Sequence, residues 1–268
     1  MSRQSLQYCL LFLLLVSAAG MVQADGGNGY RDDSPRVSLI IDDIGYRLND
    51  DRRAIALPGP ISYAILPHTP HAARMSQLAY SLGKDILVHL PMEAHHANHL
   101  LGPGALMQEM EQADFAETVL DNIDSVPHAI GISNHMGSLL TSDNRAMRWL
   151  MQTIKPTGLF YMDSMTSAKS VAGESASRYQ VGYLRRDVFL DNTPDTKAIE
   201  QQFMRLVETA RRKGTAIGIG HPHPQTIRIL AALLPELEHN GIQLVSIREI
   251  MKTRSREVFS WQQLSSSH

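Results

Sequence analysis

The sequence predicts an α/β protein: one domain, a distorted β/α barrel of about seven parallel strands. Three observations carry this. Short apolar runs of strand length recur along the chain, most of them followed by a helical period. Gly83, Gly158, Gly214 and Gly241 each stand where a helix would stop. Finally, His or Asp closes one apolar run after another: Asp42 and Asp43, His89, His135, Asp163 and His221. Strands of a parallel sheet end on a common rim, so groups placed one per strand end converge there although they are far apart in sequence.

Taken in order, the first segment reads as a leader. Met1 to Gln7 carry Arg3 and no acidic residue, Cys9 to Ala19 form an apolar core, and Val22-Gln23-Ala24 is a small-x-small cleavage signal. This predicts a signal peptide over 1–24, cut before Asp25, and hence a periplasmic or secreted protein. The apolar stretch is shorter than the roughly 20 residues a spanning helix needs, so no stable membrane anchor is expected after cleavage. Residues 25–35, rich in Gly, Asp and Ser, read as a flexible arm. The barrel domain is expected over 36–254 and a polar tail over 255–268.

Within the domain, strands are predicted at Val37 to Ile41, Ile61 to Leu66, Asp85 to Leu90, Ala129 to Ser133, Leu159 to Asp163, Asp187 to Leu190, Thr215 to Ile219 and Gln243 to Ile247. Helices are predicted at Pro70 to Leu82, Asp114 to Ile123, Asp143 to Ile154, Thr196 to Lys213 and Gln225 to Glu238, with Asp114 as a capping residue. The connection from Pro91 to about Ala113 is unusually long for a compact domain, and loops of that length usually carry function.

Composition narrows the partners. Net charge is -2, with no basic cluster suited to nucleic acid. The one cysteine, Cys9, lies in the leader, so the mature chain has no disulfide and depends on an ordinary core. There is no Gly-x-Ser-x-Gly elbow, phosphate-binding glycine loop or helical His-Glu-x-x-His.

The chemistry-bearing residues are distinctive by contrast. Adjacent carboxylates at Asp42-Asp43 are costly to hold ionised side by side, and strand alternation is expected to point them apart, one towards a metal and one towards a proton. With His89 and His135, Asp43 makes a His-His-carboxylate set suited to zinc or another first-row divalent ion. Glu93 lies four residues beyond His89, and Asn134 and Ser138 flank His135 in a polar cluster. His221 and His223 alternate with Pro222 and Pro224 after a Gly-spaced strand, whose glycines allow close approach of backbone or substrate. Asp187, Asp191, Arg185 and Arg186 could orient a catalytic carboxylate or pair with one another.

The runs Ile40-Ile41-Asp42-Asp43-Ile44-Gly45, His89-Leu90-Pro91-Met92-Glu93, Gly131-Ile132-Ser133-Asn134-His135-Met136-Gly137-Ser138, Met162-Asp163-Ser164 and Ile219-Gly220-His221-Pro222 resemble the divergent polysaccharide deacetylase family, a remote branch of the NodB-like carbohydrate esterases. The resemblance spans about 37–252. It implies a NodB-like barrel and a divalent-metal hydrolase, with zinc the expected ion, that removes acetyl groups from an envelope glycan such as peptidoglycan. It further implies Asp42 as base, Asp43 as ligand and His221 as general acid. Glu93 stands where the parent family has its second metal histidine, leaving Glu93 or His135 to complete the set. Asp163, Asn134, Ser138, Glu93 and His223 are expected at the substrate, with Asp163 alternatively orienting His221. The alternative for the whole chain is a catalytically inactive periplasmic glycan-binding or envelope-assembly protein on the same barrel.

Overall fold

The structure is a computed structural model that describes residues 34–253. The expected leader, nearly all of the arm and the polar tail lie outside the described residues. Strands β1 (Arg36–Ile44), β2 (Ser62–Ile65), β3 (Ile86–Met92), β4 (Gly131–Met136), β5 (Phe160–Asp163), β6 (Tyr183–Arg185), β7 (Val188–Phe189), β8 (Thr215–Gly220) and β9 (Gln243–Leu244) form one sheet. Every strand pairing in it is parallel. Helices α1 (Leu48–Ile55), α2 (Ala72–Ser81), α3 (Gln112–Asp124), α4 (Asn144–Ile154), α5 (Ala172–Tyr179), α6 (Thr196–Lys213) and α7 (Pro224–His239) alternate with them.

The strand order β6-β5-β4-β3-β2-β1-β8-β7 explains the distortion of the barrel. β6 and β7 are separated only by Arg186 and Asp187. Arg186 N still bonds Asp163 O on β5, whereas Asp187 N bonds Ile217 O on β8. One continuous stretch thus hands over from one end of the hydrogen-bonded path to the other. Counting β6 and β7 as two halves of a single stave leaves seven staves in the ring, as the sequence predicts. β9 lies off this path and takes Arg36 and Val37, the part of β1 that β2 leaves free because its pairing begins at Ile40.

Two apolar layers follow from this closure. Ile40, Ala64, Leu87, Met162, Leu184, Ile217 and Ile219 fill the barrel interior. Leu39, Ile41, Tyr63, Val88, Ile132 and Tyr161 point outward against Met75, Phe115, Leu150, Phe203 and Leu230 of the helices. This is the strand period of two expressed as two cores.

Several boundaries depart from expectation. α1 was not expected: its core-facing positions include Asp51, fully buried, which breaks the apolar period. Asp51 Oδ2 accepts from Gly45 N and Arg47 N, so this helix ties down the turn that follows the Asp-Asp pair. β6 was also missed, being only three residues beside an arginine pair. Helix α3 begins at Gln112 with no side-chain cap, and Asp114 sits in its first turn, where a carboxylate favours the helix dipole. Asp143 and Asp195 do cap α4 and α6, each accepting two backbone N–H bonds. Ile247 opens a last helical stretch over 247–253 instead of ending a strand. The glycines of β8 admit side chains, not substrate: a Cβ on Gly218 would meet Leu206 of α6 at 2.7 Å, and one on Gly220 would meet Thr226 at 3.2 Å.

Candidate active site

The Asp-Asp pair is built by a fault in β1. Ile41 pairs with Tyr63 and Ile44 with Ile65, so Asp42 and Asp43 together oppose the single residue Ala64. Asp43 takes up the extra length in the left-handed region, φ 59°, a β-bulge that re-aims a side chain. The expected alternation is therefore overturned. Both carboxylates turn towards His89: Asp42 Oδ2 lies 3.7 Å and Asp43 Oδ1 3.2 Å from its Nε2.

His89 is buried on β3, and its Nδ1 lies 2.8 Å from Ser133 Oγ on β4. With the Nδ1 proton directed at that hydroxyl, Nε2 faces the carboxylates with its lone pair, the usual orienting arrangement around a metal-binding histidine. His135, two residues along β4, projects the same way; its Nδ1 lies 2.9 Å from Asp43 Oδ1. Its Nε2 reaches Leu100 O at 3.4 Å. A carbonyl only accepts, so the Nε2 proton is committed there. The long β3-to-α3 connection thus helps set the orientation of His135 through Leu100.

The donor set Asp43, His89 and His135 offers one atom each within 4.8 Å of one another. Asp43 Oδ1 is buried and receives no well-directed hydrogen bond despite its two imidazole neighbours. An oxygen and a nitrogen lone pair facing each other at this range need a proton or a cation between them, and a first-row divalent ion fits the donor chemistry. Burial alone would raise the Asp43 carboxyl, but the imidazoles of His135 and His89 outweigh it and hold the group well below the usual carboxylate range.

Asp42 behaves oppositely. It is 2% exposed, its Oδ1 has no hydrogen-bond partner among the described residues, and burial raises its pKa against the attraction of His89 and His221. On the other side of Asp43, His221 Nε2 lies 3.8 Å from Oδ2. Its Nδ1 is 2.9 Å from Asp191 Oδ1, while Asp191 Oδ2 accepts from His221 N and Thr226 Oγ1. Burial would lower the His221 pKa, but Asp191 and the charges of Asp43 and Asp42 lift it to about 9. Of the two aspartates left open by the sequence, Asp191 is the one that orients His221. Asp187 is spent on Lys213 Nζ and Ile217 N. Arg186 donates to Ser164 O and Met165 O, stacks on Phe189, and feels the charge of Asp42 and Asp163; Arg185 is exposed.

This pairing gives a pH prediction. A histidine that keeps its proton to about 9 when folded, against 6.5 when free, stabilises the folded state fully below pH 6.5 and loses that contribution as pH rises through 9. His135, also raised by Asp43 against burial, acts in the same direction. Metal-free protein should therefore lose on the order of 2 kcal/mol between these limits. Urea unfolding from pH 6 to 9.5 reads it, and Asp191→Asn should make the slope shallower.

The residues expected at the substrate are largely engaged elsewhere. Asn134 is 1% exposed and uses its whole amide: Oδ1 accepts from Tyr161 Oη and Ser164 N, Nδ2 donates to Met136 O and Thr166 Oγ1. It locks the β4 end beside His135. Asp163 accepts from Met165 N, Ser170 Oγ and Tyr183 Oη, so the orienting role proposed for it falls to Asp191. Glu93 Oε2 accepts from Gln108 N and its carbonyl from Leu139 N and Leu140 N, clamping two rim loops together. Ser138 Oγ accepts from His95 N. His223 stands beside His221, ring centroids 5.8 Å apart.

The C-terminal rim of this parallel barrel thus gathers two carboxylates, two imidazoles and a part-buried His221–Asp191 pair. The chain belongs to the divergent polysaccharide deacetylase family, whose model matches residues 39–251. It is 37% identical over 202 residues to the uncharacterized protein YibQ of Escherichia coli K12, covering 75% of this chain and 63% of that protein. A second relative, an uncharacterized protein of Haemophilus influenzae, is 39% identical over 217 residues, 81% of this chain and 77% of its own. Among solved structures, the uncharacterized Atu2773 of Agrobacterium tumefaciens C58 superposes with TM-score 0.78 at 23% identity, over 81% of this chain and 89% of that one. BA3943 of Bacillus anthracis, described as a CE4 family pseudoenzyme, shares the fold at TM-score 0.51 and 12% identity, over 82% of this chain and 66% of that one.

Proposed function

We propose that this protein is a divalent-metal-dependent deacetylase acting on an acetylated envelope glycan outside the cytoplasm. The observation that carries the reading is the placement of Asp43 between two imidazoles, with a partly unpartnered buried carboxylate on one side and an aspartate-bound imidazole on the other. Asp43, His89 and His135 would hold the ion, with zinc the best match to one carboxylate and two imidazoles. When bound, such an ion acts as a Lewis acid that polarises a carbonyl and lowers the pKa of water from about 15.7 towards roughly 7.

The chain's own groups supply the proton transfers. Asp42 Oδ1 has no other partner among the described residues, and burial makes this carboxylate a better base than one in water, so it accepts the proton of the water that attacks the acetyl carbon. Asp191 fixes the Nδ1 side of His221, leaving Nε2 turned towards Asp43. From there His221 donates its proton to the departing sugar nitrogen, or to oxygen in an ester, as the bond to the acetyl carbon breaks. Arg186 adds positive field that favours the ionised, basic form of Asp42.

The relationship to a pseudoenzyme fold supports a second reading, a glycan-binding or envelope-assembly protein without turnover. One experiment separates them. Protein from the cell envelope fraction, whose N-terminus this proposal places at Asp25, is stripped with chelator, reloaded with zinc or cobalt, and assayed for acetate release from acetylated chito-oligosaccharides and peptidoglycan fragments. Acetate release restored by metal supports the deacetylase; a folded, metal-loaded protein that binds these glycans and releases none supports the binder.

A further inference from the structure

His223 is held more firmly than an idle surface histidine needs to be. It stands between Pro222 and Pro224, and its N–H donates to His221 O at 2.8 Å, closing a three-residue turn. Pro224 then begins α7, with His223 at its cap position but making no side-chain cap bond. Proline fixes φ on both sides of His223. The result is two imidazoles carried side by side, ring planes 33° apart. Yet among the described residues no hydrogen bond or ion pair engages the His223 ring.

What the ring faces gives this rigidity a use. One ligand atom each from Asp191, His221 and His223 lies within 4.8 Å of the others. Asp191 is fixed through Oδ2 by His221 N and Thr226 Oγ1, which leaves Oδ1 beside His221 Nδ1 at 2.9 Å. This trio shares no residue with Asp43, His89 and His135, although His221 Nε2 comes within 3.8 Å of Asp43 Oδ2. Two imidazoles and one carboxylate, partly open to solvent, make the same donor combination as the first set.

We propose that Asp191, His221 and His223 form a second divalent-ion site, weaker than the first, that withdraws His221 from proton donation when it fills. The site itself follows from this donor trio; its inhibitory consequence rests on the deacetylase reading. An ion ligated by His221 Nδ1 and Asp191 Oδ1 takes the place of the proton shared between them, so the imidazole loses its aspartate anchor. Weakness has two causes. The ion competes with an existing short hydrogen bond, and a neighbouring cation in the first site repels it, only partly screened by the Asp43 carboxylate. Rising zinc would then load the first site and afterwards fill the inhibitory one.

The test is a zinc titration of the whole protein by calorimetry, with elemental analysis of bound metal and circular dichroism to verify folding. Wild type should take two ions in separate events. His223→Ala should keep the tighter event and weaken the other more than tenfold, while His135→Ala should keep only the weaker one. A single ion in wild type that persists in His223→Ala and is lost in His135→Ala would overturn this inference and leave the first centre standing. Two ions of unchanged affinity in His223→Ala would also overturn it. A single ion lost only in His223→Ala would overturn the proposed order of the two sites and sink the first centre.

Discussion

His135→Ala is expected to lower zinc affinity by more than about 100-fold at the Asp43 centre while the fold persists. Losing partners that merely orient ligands commonly costs 10-fold to 100-fold, and losing one of three protein ligands should cost more. His135 is the informative choice. It sits near the end of β4, its side chain 14% exposed against 3% for His89, so truncation opens a pocket that water can enter. His89→Ala should lose the ion as well, but it also empties a buried position and strips Ser133 Oγ of its partner, so a fall in stability of about 1–3 kcal/mol is expected alongside. Glu93→Gln is the contrasting variant. Its carbonyl can still accept the Gln108 N–H, so metal affinity should hold. Competition with a chromophoric chelator measures all three, and wild-type affinity in His135→Ala would remove that residue from the centre.

Asp42→Asn is expected to lower acetate release about 100-fold to 10,000-fold, the range for a lost general base, with zinc retained. Stability should move the other way. Asp42 is 2% exposed and leaves one carboxylate oxygen without a partner, an arrangement that costs free energy in any folded chain. Asparagine keeps the shape and removes the charge, so the metal-free variant should unfold at equal or higher urea concentration than wild type. A purely structural carboxylate would give the reverse pattern, with lower stability and unaffected turnover. The paired measurement of acetate release and urea midpoint therefore separates a catalytic Asp42 from a structural one.

The barrel was legible because each strand left a short apolar run in the sequence. Asp163 does end β5, whereas β3 runs three residues past His89 to Met92, so His89 marks the site and not the end of its strand. His135 and His221 announced themselves similarly. What stayed hidden depended on geometry that residue types do not encode. Nothing in Asp42-Asp43 reveals a bulge, so alternation pointed the carboxylates apart until the pairing with β2 slipped by one residue. Asp187 and Asp191 are equivalent on paper, both flanking a short apolar run. The hand-over of the stave between β5 and β8 turns one to Lys213 and the other to His221. Asn134 and Glu93 looked like substrate groups because they were polar residues beside a metal-type histidine. Their side chains instead support the rim, Asn134 by locking the end of β4 and Glu93 by clamping two loops. A rim that must hold a strained Asp43 and a correctly turned His135 needs such supports, and these are indistinguishable in sequence from groups that touch a ligand.

The most direct measurement of the central claim is a crystal structure of the protein loaded with one equivalent of zinc, with diffraction collected on both sides of the zinc absorption edge. One dominant anomalous peak is expected, about 2.0–2.2 Å from a carboxylate oxygen of Asp43, His89 Nε2 and His135 Nδ1. Asp42 and the His221–Asp191 pair should stay outside that coordination shell. A dominant peak bound through Glu93, or one that leaves His89 and His135 uncoordinated, would contradict it.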